Sequence, residues 1–171
     1  MAKLIAYVRE LIGDLPRADQ VFSDDQVQRS LDVHRWEFRY FPLKSVPTRV
    51  GGLIKLLDWY SFEQYWEDDA TLYDASYNQL TPLVSDPFYG RWSFGDHQDS
   101  VVATGKVYDP YGAAADLLEM WAGKSATEFD FEADGASYKR SQKAGELQKL
   151  AGVYRRQQRI VGTRQVRNDL W

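Results

Sequence analysis

Apolar residues recur at helical spacing near both ends of this chain and at alternating spacing in its middle. At the start, Leu4, Ile5, Val8, Leu11 and Ile12 form a stripe at intervals of three and four. That spacing predicts a first helix, ended by Gly13 and Pro16. Ser23 then reads as an N-cap, with Asp24 and Asp25 in the first turn and Gln26 completing a capping box. Val27 and Leu31 mark the inner face of this short second helix, which should finish near His34. From Trp36 the period changes: Trp36, Phe38 and Tyr40 alternate with Glu37 and Arg39, a half-buried strand that Pro42 limits. Between Leu43 and Asp109, turn signals come at short intervals, at Pro47, Gly51-Gly52, Asn78, Pro82, Asp86-Pro87, Gly90, Gly95 and Gly105. The aromatic and β-branched runs between them, Leu53–Tyr60, Leu72–Tyr77, Tyr89–Phe94 and Ser100–Tyr108, read as hairpins and extended loops. Phe62–Glu67 is also compatible with a helical turn.

The helical period returns after Asp109. Tyr111, Ala114, Ala115, Leu118, Trp121 and Ala122 fit one buried helix face, with Pro110 in the first turn and Gly123 as the stop. Ala113, Ala114 and Ala115 carry so little bulk that a neighbouring helix, of the same or an adjacent subunit, can approach closely; Trp121 lies on the same face. An Asp134-Gly135 turn precedes a second helix expected to start at Ser137. Ala144, Leu147, Ala151 and Tyr154 line one side of it, and Lys149, Arg156 and Arg159 the other. The segment 161–171 lacks a core pattern and reads as an extended C-terminal arm that orders against a partner. The whole is expected to be a single α+β domain over 1–171. Its helices form a bundle: the N-terminal pair, the Ala-rich helix and the long C-terminal helix. A β-rich insertion spans 36–109.

Composition changes this picture little, and charge changes it more. At 171 residues the chain is long enough to bury a real core, and 15% aromatic content suits large contact surfaces. There is no cysteine, which excludes a disulfide framework and a thiolate metal site. The opening apolar run is broken by Arg9 and Glu10, so it is expected to be neither signal peptide nor membrane span, and the protein to be made in a cytoplasm. The net charge of −4 is unevenly placed: residues 136–171 hold nine Lys and Arg against two acids, and the rest holds twelve against twenty-three. The molecule therefore has a basic end on an acidic body.

Candidate chemistry is sparse. His34 and His97 are separated by the whole β region, in no ligand spacing, and read as structural. Glu67-Asp68-Asp69 reads as a solvated turn. Asp130 to Gly135 matches the first half of a calcium loop, but its twelfth position is Ser141 where such loops need a bidentate Glu. No phosphate-binding glycine motif occurs, and Trp92-Ser93-Phe94-Gly95 lacks the first Gly of a nucleophile elbow. The expectation is no enzyme, no cofactor and no metal.

The runs YDPYGAAADLLEMWA and FDFEADGASYKRSQ, followed by a helix ending in YRRQQR, resemble the C-terminal half of a known family. It is the head-to-tail adaptor, or head completion, proteins of long-tailed bacteriophages. The matching residues are Ala113 to Asp116, Phe129, Phe131, Asp134, Gly135, Ser137, Ser141 and Gln142. The N-terminal half is similar by architecture, through its capped helix, Gly51-Gly52 and a Thr81-Pro82 turn. The resemblance implies a structural virion protein at the head–tail interface, assembled in the host cytoplasm. Copies would form a homo-oligomeric ring matching the twelve-fold portal and offer a surface to a tail-side stopper or tail terminator. Genomic DNA would pass the ring's acidic body without specific binding, and no membrane would be involved. On this reading Arg155, Arg156, Arg159, Arg164, Arg167, Leu170 and Trp171 dock on the portal protein, since Arg and Trp often dominate interface energy. Two alternatives remain open at this point: a nucleic-acid-binding module using the basic C-terminal helix, and a carbohydrate-binding β domain using exposed Trp.

Overall fold

The computed structural model describes residues 1–17, 19–126, 131–133, 136–138 and 140–159, with only the backbone of 131–133, 136–138, 140 and 141. The C-terminal arm, the Asp134-Gly135 turn and Phe129 lie outside the described residues, as do the side chains of Phe131, Ser137 and Ser141. The fold is α+β. Its elements are α1 (Ala2–Ile12), α2 (Asp24–Val33), β1 (Arg35–Pro42), β2 (Lys44–Val50), β3 (Leu53–Tyr60), β4 (Thr71–Tyr73), β5 (Gln79–Leu80), β6 (Val84–Asp86), β7 (Arg91–Ser93), β8 (Val102–Tyr108), α3 (Pro110–Ala126), β9 (Phe131–Ala133), β10 (Ala136–Tyr138) and α4 (Arg140–Gln157). No helix among the described residues is long and apolar enough to cross a membrane.

The helices share one core. Leu4, Val8 and Ile12 of α1, Val27 and Leu31 of α2, Ala113, Ala114, Leu117 and Leu118 of α3 and Ala151 of α4 are all buried in it. The expected capping box starts α2: Ser23 Oγ accepts from Gln26 N at 3.3 Å, and Gln26 Oε1 accepts from Ser23 N at 2.9 Å. At the head of α3, Asp109 Oδ1 accepts from the N–H groups of Tyr111 and Gly112 at 3.0 and 3.1 Å, satisfying donors that a helix start leaves orphaned. A small hydroxyl network joins the helices, with Tyr7 Oη 3.1 Å from Tyr111 Oη and Tyr154 Oη donating to the Leu11 carbonyl at 2.9 Å.

Three helical expectations need correction. Burial of α3 is not confined to one face: Gly112 to Ala115, Leu117 and Leu118 are all buried, while Tyr111 and Trp121 are only partly so. The cause is its central position, since α3 packs against α1, α2 and α4. Gly123 does not stop the helix, which continues to Ala126; burial of Ala122 and Ser125 around it outweighs the roughly 1 kcal/mol cost of a helical glycine. Finally, α4 begins at Arg140 and not at Ser137, because Ala136–Tyr138 pairs antiparallel with Phe131–Ala133, Ala136 opposite Ala133. Two residues, Asp134 and Gly135, separate the paired positions, and Asp-Gly is a strong hairpin signal.

Close approach to α3 leads to a prediction. Ala114 is fully buried, whereas Met120 on the same helix is 49% exposed. Ala114→Trp is expected to cost roughly 1–3 kcal/mol or more by overpacking, and Met120→Trp to stay within about 0.5 kcal/mol. Equal melting temperatures for the two variants would show that the alanine face is not close-packed.

The β region forms two antiparallel sheets, ordered β1-β8-β4-β5 and β2-β3-β7-β6. β1 and β8, its first and last strands, pair from Arg35 opposite Tyr108 to Pro42 opposite Val102. They close the region where it leaves α2 and enters α3. A second core fills its interior: Leu43, Trp59, Trp66, Leu72, Trp92, Phe94, Val101, Ala103 and Val107. Phe62–Glu67 is not helical; Trp66 bridges Val107 instead, and its Nε1 donates to the Glu63 carbonyl at 3.0 Å. The sequence pattern missed β2, because Pro47 reads as a turn. Pro47 sits on an edge strand at a register shift, where a strand tolerates a residue with no N–H to donate. The alternation along β1 also breaks: a register shift between Phe38 and Phe41 turns Phe41 inward and leaves Tyr40 48% exposed.

Candidate interaction surfaces

Four features of the described surface bear on function. The first is the β2–β3 hairpin. β3 pairs with β7 only from Asp58 to Tyr60, while β2 pairs with β3 all the way to Val50 opposite Leu53. Beyond Leu56, whose carbonyl accepts from Gln98 N, the ribbon Thr48–Lys55 has no strand partner among the described residues except itself. Gly51 and Gly52 turn it with φ of 59° and 84°, the double positive φ of a tight two-residue loop. Its tip is apolar and open, with Leu53 68% and Ile54 65% exposed.

The second is an aromatic cluster on the other sheet. The Tyr40 ring lies 5.7 Å from Tyr73 and 4.8 Å from Tyr77, both edge-on. Tyr40 and Tyr77 both have positive φ, 53° and 62°, a costly conformation for bulky residues that surrounding bonds must enforce. Thr104 Oγ1 accepts from Tyr40 N at 3.0 Å. Asp74 Oδ1 accepts from Ser76 N and Asn78 N at 2.8 and 2.9 Å, which pins the turn carrying Tyr77. Hydrogen bonds from the Asn78 side chain, then from the backbone, hold the Asp74 carboxyl below its ordinary range, so it stays ionised.

The third lies on the second sheet, beside Trp59 and Trp92. A cleft of about 530 Å³ opens there, lined by Val46, Asp58, Tyr60, Tyr89, Arg91 and Ser93 among others. Ser93 Oγ donates to Asp58 Oδ1 at 2.6 Å, so this hydroxyl is held by a carboxylate and faces no imidazole.

The fourth is the junction where α4 ends. Arg155 pairs with Asp116 and with Glu119, the latter at 2.9 Å, and these contacts hold its guanidinium charged. Arg159 pairs with Glu63 at 2.7 Å and lies over the rings of Trp36 and Phe38 at 5.1 and 5.3 Å. Its backbone N–H donates to Asp109 Oδ2 at 2.9 Å, so one carboxylate ties the start of α3 to the end of α4. Of the arginines assigned to docking, Arg155 and Arg159 are therefore engaged within the chain, and Arg156 is exposed. Arg164, Arg167, Leu170 and Trp171 lie outside the described residues. Ala113, Ala114 and Ala115 are buried against this chain's own helices, and Trp121 packs edge-on against Phe22 at 6.2 Å beneath Lys143.

No protein-family model matches the chain. No curated protein and no solved structure matches it either.

The two histidines, which read as structural in the sequence, each make hydrogen-bonding contacts within the fold. Nε2 of His34 contacts Asp116 at 2.7 Å and its Nδ1 faces Gln158 at 3.4 Å, while Nδ1 of His97 accepts from Leu56 N at 2.9 Å and its Nε2 faces Asp99 at 3.0 Å. Among the described residues, no three His, Asp or Glu side chains converge on a metal-sized site. Sequence reasoning missed the tyrosine cluster, since Tyr40 fits the buried alternation and only the bulge turns it out. Gly51-Gly52 reads in the sequence as a turn, and nothing there marks the tip as exposed.

Proposed function

We propose that this chain is a head-to-tail adaptor of a long-tailed bacteriophage. Copies of it form a ring beneath the portal and present a docking surface to the tail-side stopper. In this reading the bundle around the Ala-rich α3 is the body, the β region is the contact-making insertion, and 161–171 is an arm reaching the portal. Support comes from the resemblance of the Ala113–Asp116 and Phe129–Gln142 runs to that family, and from one structural observation. The β region carries exposed apolar surface on both of its sheets, at the hairpin tip and at the Tyr40–Tyr77 cluster. A ring subunit meets its two neighbours through two unlike surfaces. Portal docking then falls on Arg156, Arg164, Arg167, Leu170 and Trp171, with Arg155 and Arg159 anchoring the base of the arm. The basic face that a nucleic-acid-binding reading would use is partly spent, because Arg155 and Arg159 are paired with carboxylates and Lys143 lies over Trp121.

Negative-stain images of the purified protein, alone and mixed with portal, are expected to show rings. Isolated monomers in both samples would overturn the reading. Truncation after Ile160 should leave particles that lose DNA or refuse tails. Heads that still retain DNA and accept tails would remove the arm from the docking role.

A further inference from the structure

We propose that the tip of the β2–β3 hairpin of one copy docks on the Tyr40–Tyr73–Tyr77 cluster of a second copy. The contact deepens the ring assembly above and rests on it for the identity of the partner.

The tip is poorly explained by the fold of one copy. A two-stranded ribbon on its own is marginal in water. This one projects Val50, Leu53 and Ile54 into solvent at 43%, 68% and 65% exposure. From Lys44 to Leu57 its charges are Lys44, Arg49 and Lys55, with no acid. Residues 58–126, in contrast, hold twelve acids against three bases. The tip is therefore a cationic aliphatic finger on an anionic body.

The cluster is its chemical complement. Tyr40 and Tyr77 are 48% and 65% exposed, and the ionised Asp74 holds the turn that carries Tyr77. Ring faces attract ammonium and guanidinium groups, and the ring edges pack well against Leu and Ile. The backbone that carries the two tyrosines is already held by Thr104 and by the Asp74 turn, so little backbone freedom is lost on binding. No hydrogen bond, ion pair or ring contact among the described residues joins tip to cluster within one copy. The two surfaces lie on different sheets and are unlike, so each copy offers one of each to its neighbours and the contact is heterologous and repeating.

The test uses the full chain with two pairs of substitutions, Leu53→Ser with Ile54→Ser at the tip and Tyr40→Ser with Tyr77→Ser at the cluster. Light scattering after size exclusion reads the mass, and circular dichroism melts check folding. Each variant alone is expected to be monomeric. An equimolar mixture is expected to stop at a heterodimer, because one intact tip meets one intact cluster. A third variant, Arg49→Glu with Lys55→Glu, leaves the fold's cores untouched and should weaken self-association at least about tenfold. The chain has no cysteine, so Leu53→Cys with Tyr77→Cys should give an intermolecular disulfide ladder on oxidation, and Leu53→Cys alone should give no ladder. Assembly of both serine variants at the parent's mass overturns the contact and leaves the ring reading standing. A parent that stays monomeric alone and with portal, together with a Leu53→Cys, Tyr77→Cys variant that forms no ladder, overturns both. Assembly that depends on tip and cluster but builds open filaments supports the contact and counts against the adaptor ring.

Discussion

Replacing Arg9 with methionine is expected to destabilise the protein by roughly 3–5 kcal/mol, the usual cost of removing one partner from a buried ion pair. For a chain of this length that lowers the melting temperature by on the order of 10 °C. Arg9 is 2% exposed in the middle of an otherwise apolar helix face. Its guanidinium donates to Asp14 Oδ2 at 3.1 Å, to Asp24 Oδ1 at 2.7 Å and to the Phe22 carbonyl at 2.8 Å. Asp14 in turn accepts from Val21 N at 2.8 Å and Phe22 N at 3.0 Å. One buried cation thus joins the end of α1 to the start of α2. Methionine keeps the packing volume and strands the Asp14 carboxylate. The double variant Arg9→Met with Asp14→Asn should recover part of the loss, since no uncompensated charge is then buried. A thermal melt of Arg9→Met within about 2 °C of the parent would show that the node is dispensable.

Trp66→Ala should cost a similar amount, roughly 3–5 kcal/mol, through lost burial and the cavity left behind. The side chain is 1% exposed, with Phe38, Phe41 and Trp92 at centroid distances of 5.7, 5.9 and 6.0 Å. It belongs to a connector and not to a strand, and it fills the space between the two sheets. Urea titration of Trp66→Ala against Phe62→Ala separates packing from composition. Phe62 is 65% exposed and its removal should change stability by less than about 0.5 kcal/mol. Equal midpoints for the two variants would contradict the assignment of Trp66 to the second core.

Elements whose stabilising contacts are local are legible in the sequence. The α1 stripe, the Ser23–Gln26 box and β3 from Leu53 to Tyr60 follow from periodicity and capping, and each is where the pattern put it. The same holds for the α+β order of helices around a β region. Tertiary structure decided whatever depends on partners distant in the chain. Tyr40 faces outward because β1 must slip past β8 to bring Phe41 onto Trp66, and no residue near Tyr40 announces that shift. Pro47 lies in a strand because β2 has a free edge for a residue without an N–H. Arg9 reads only as a break in the opening apolar run until Asp14 and Asp24 close around it. The arginines closing α4 read as free until Asp116, Glu119 and Glu63 meet them across 36 to 96 residues of chain. A helical or alternating pattern reports which face is wet on average. Pairing of charges, register shifts and the exposure of a hairpin tip are set by what folds against them, and that is written in the contacts of the whole chain.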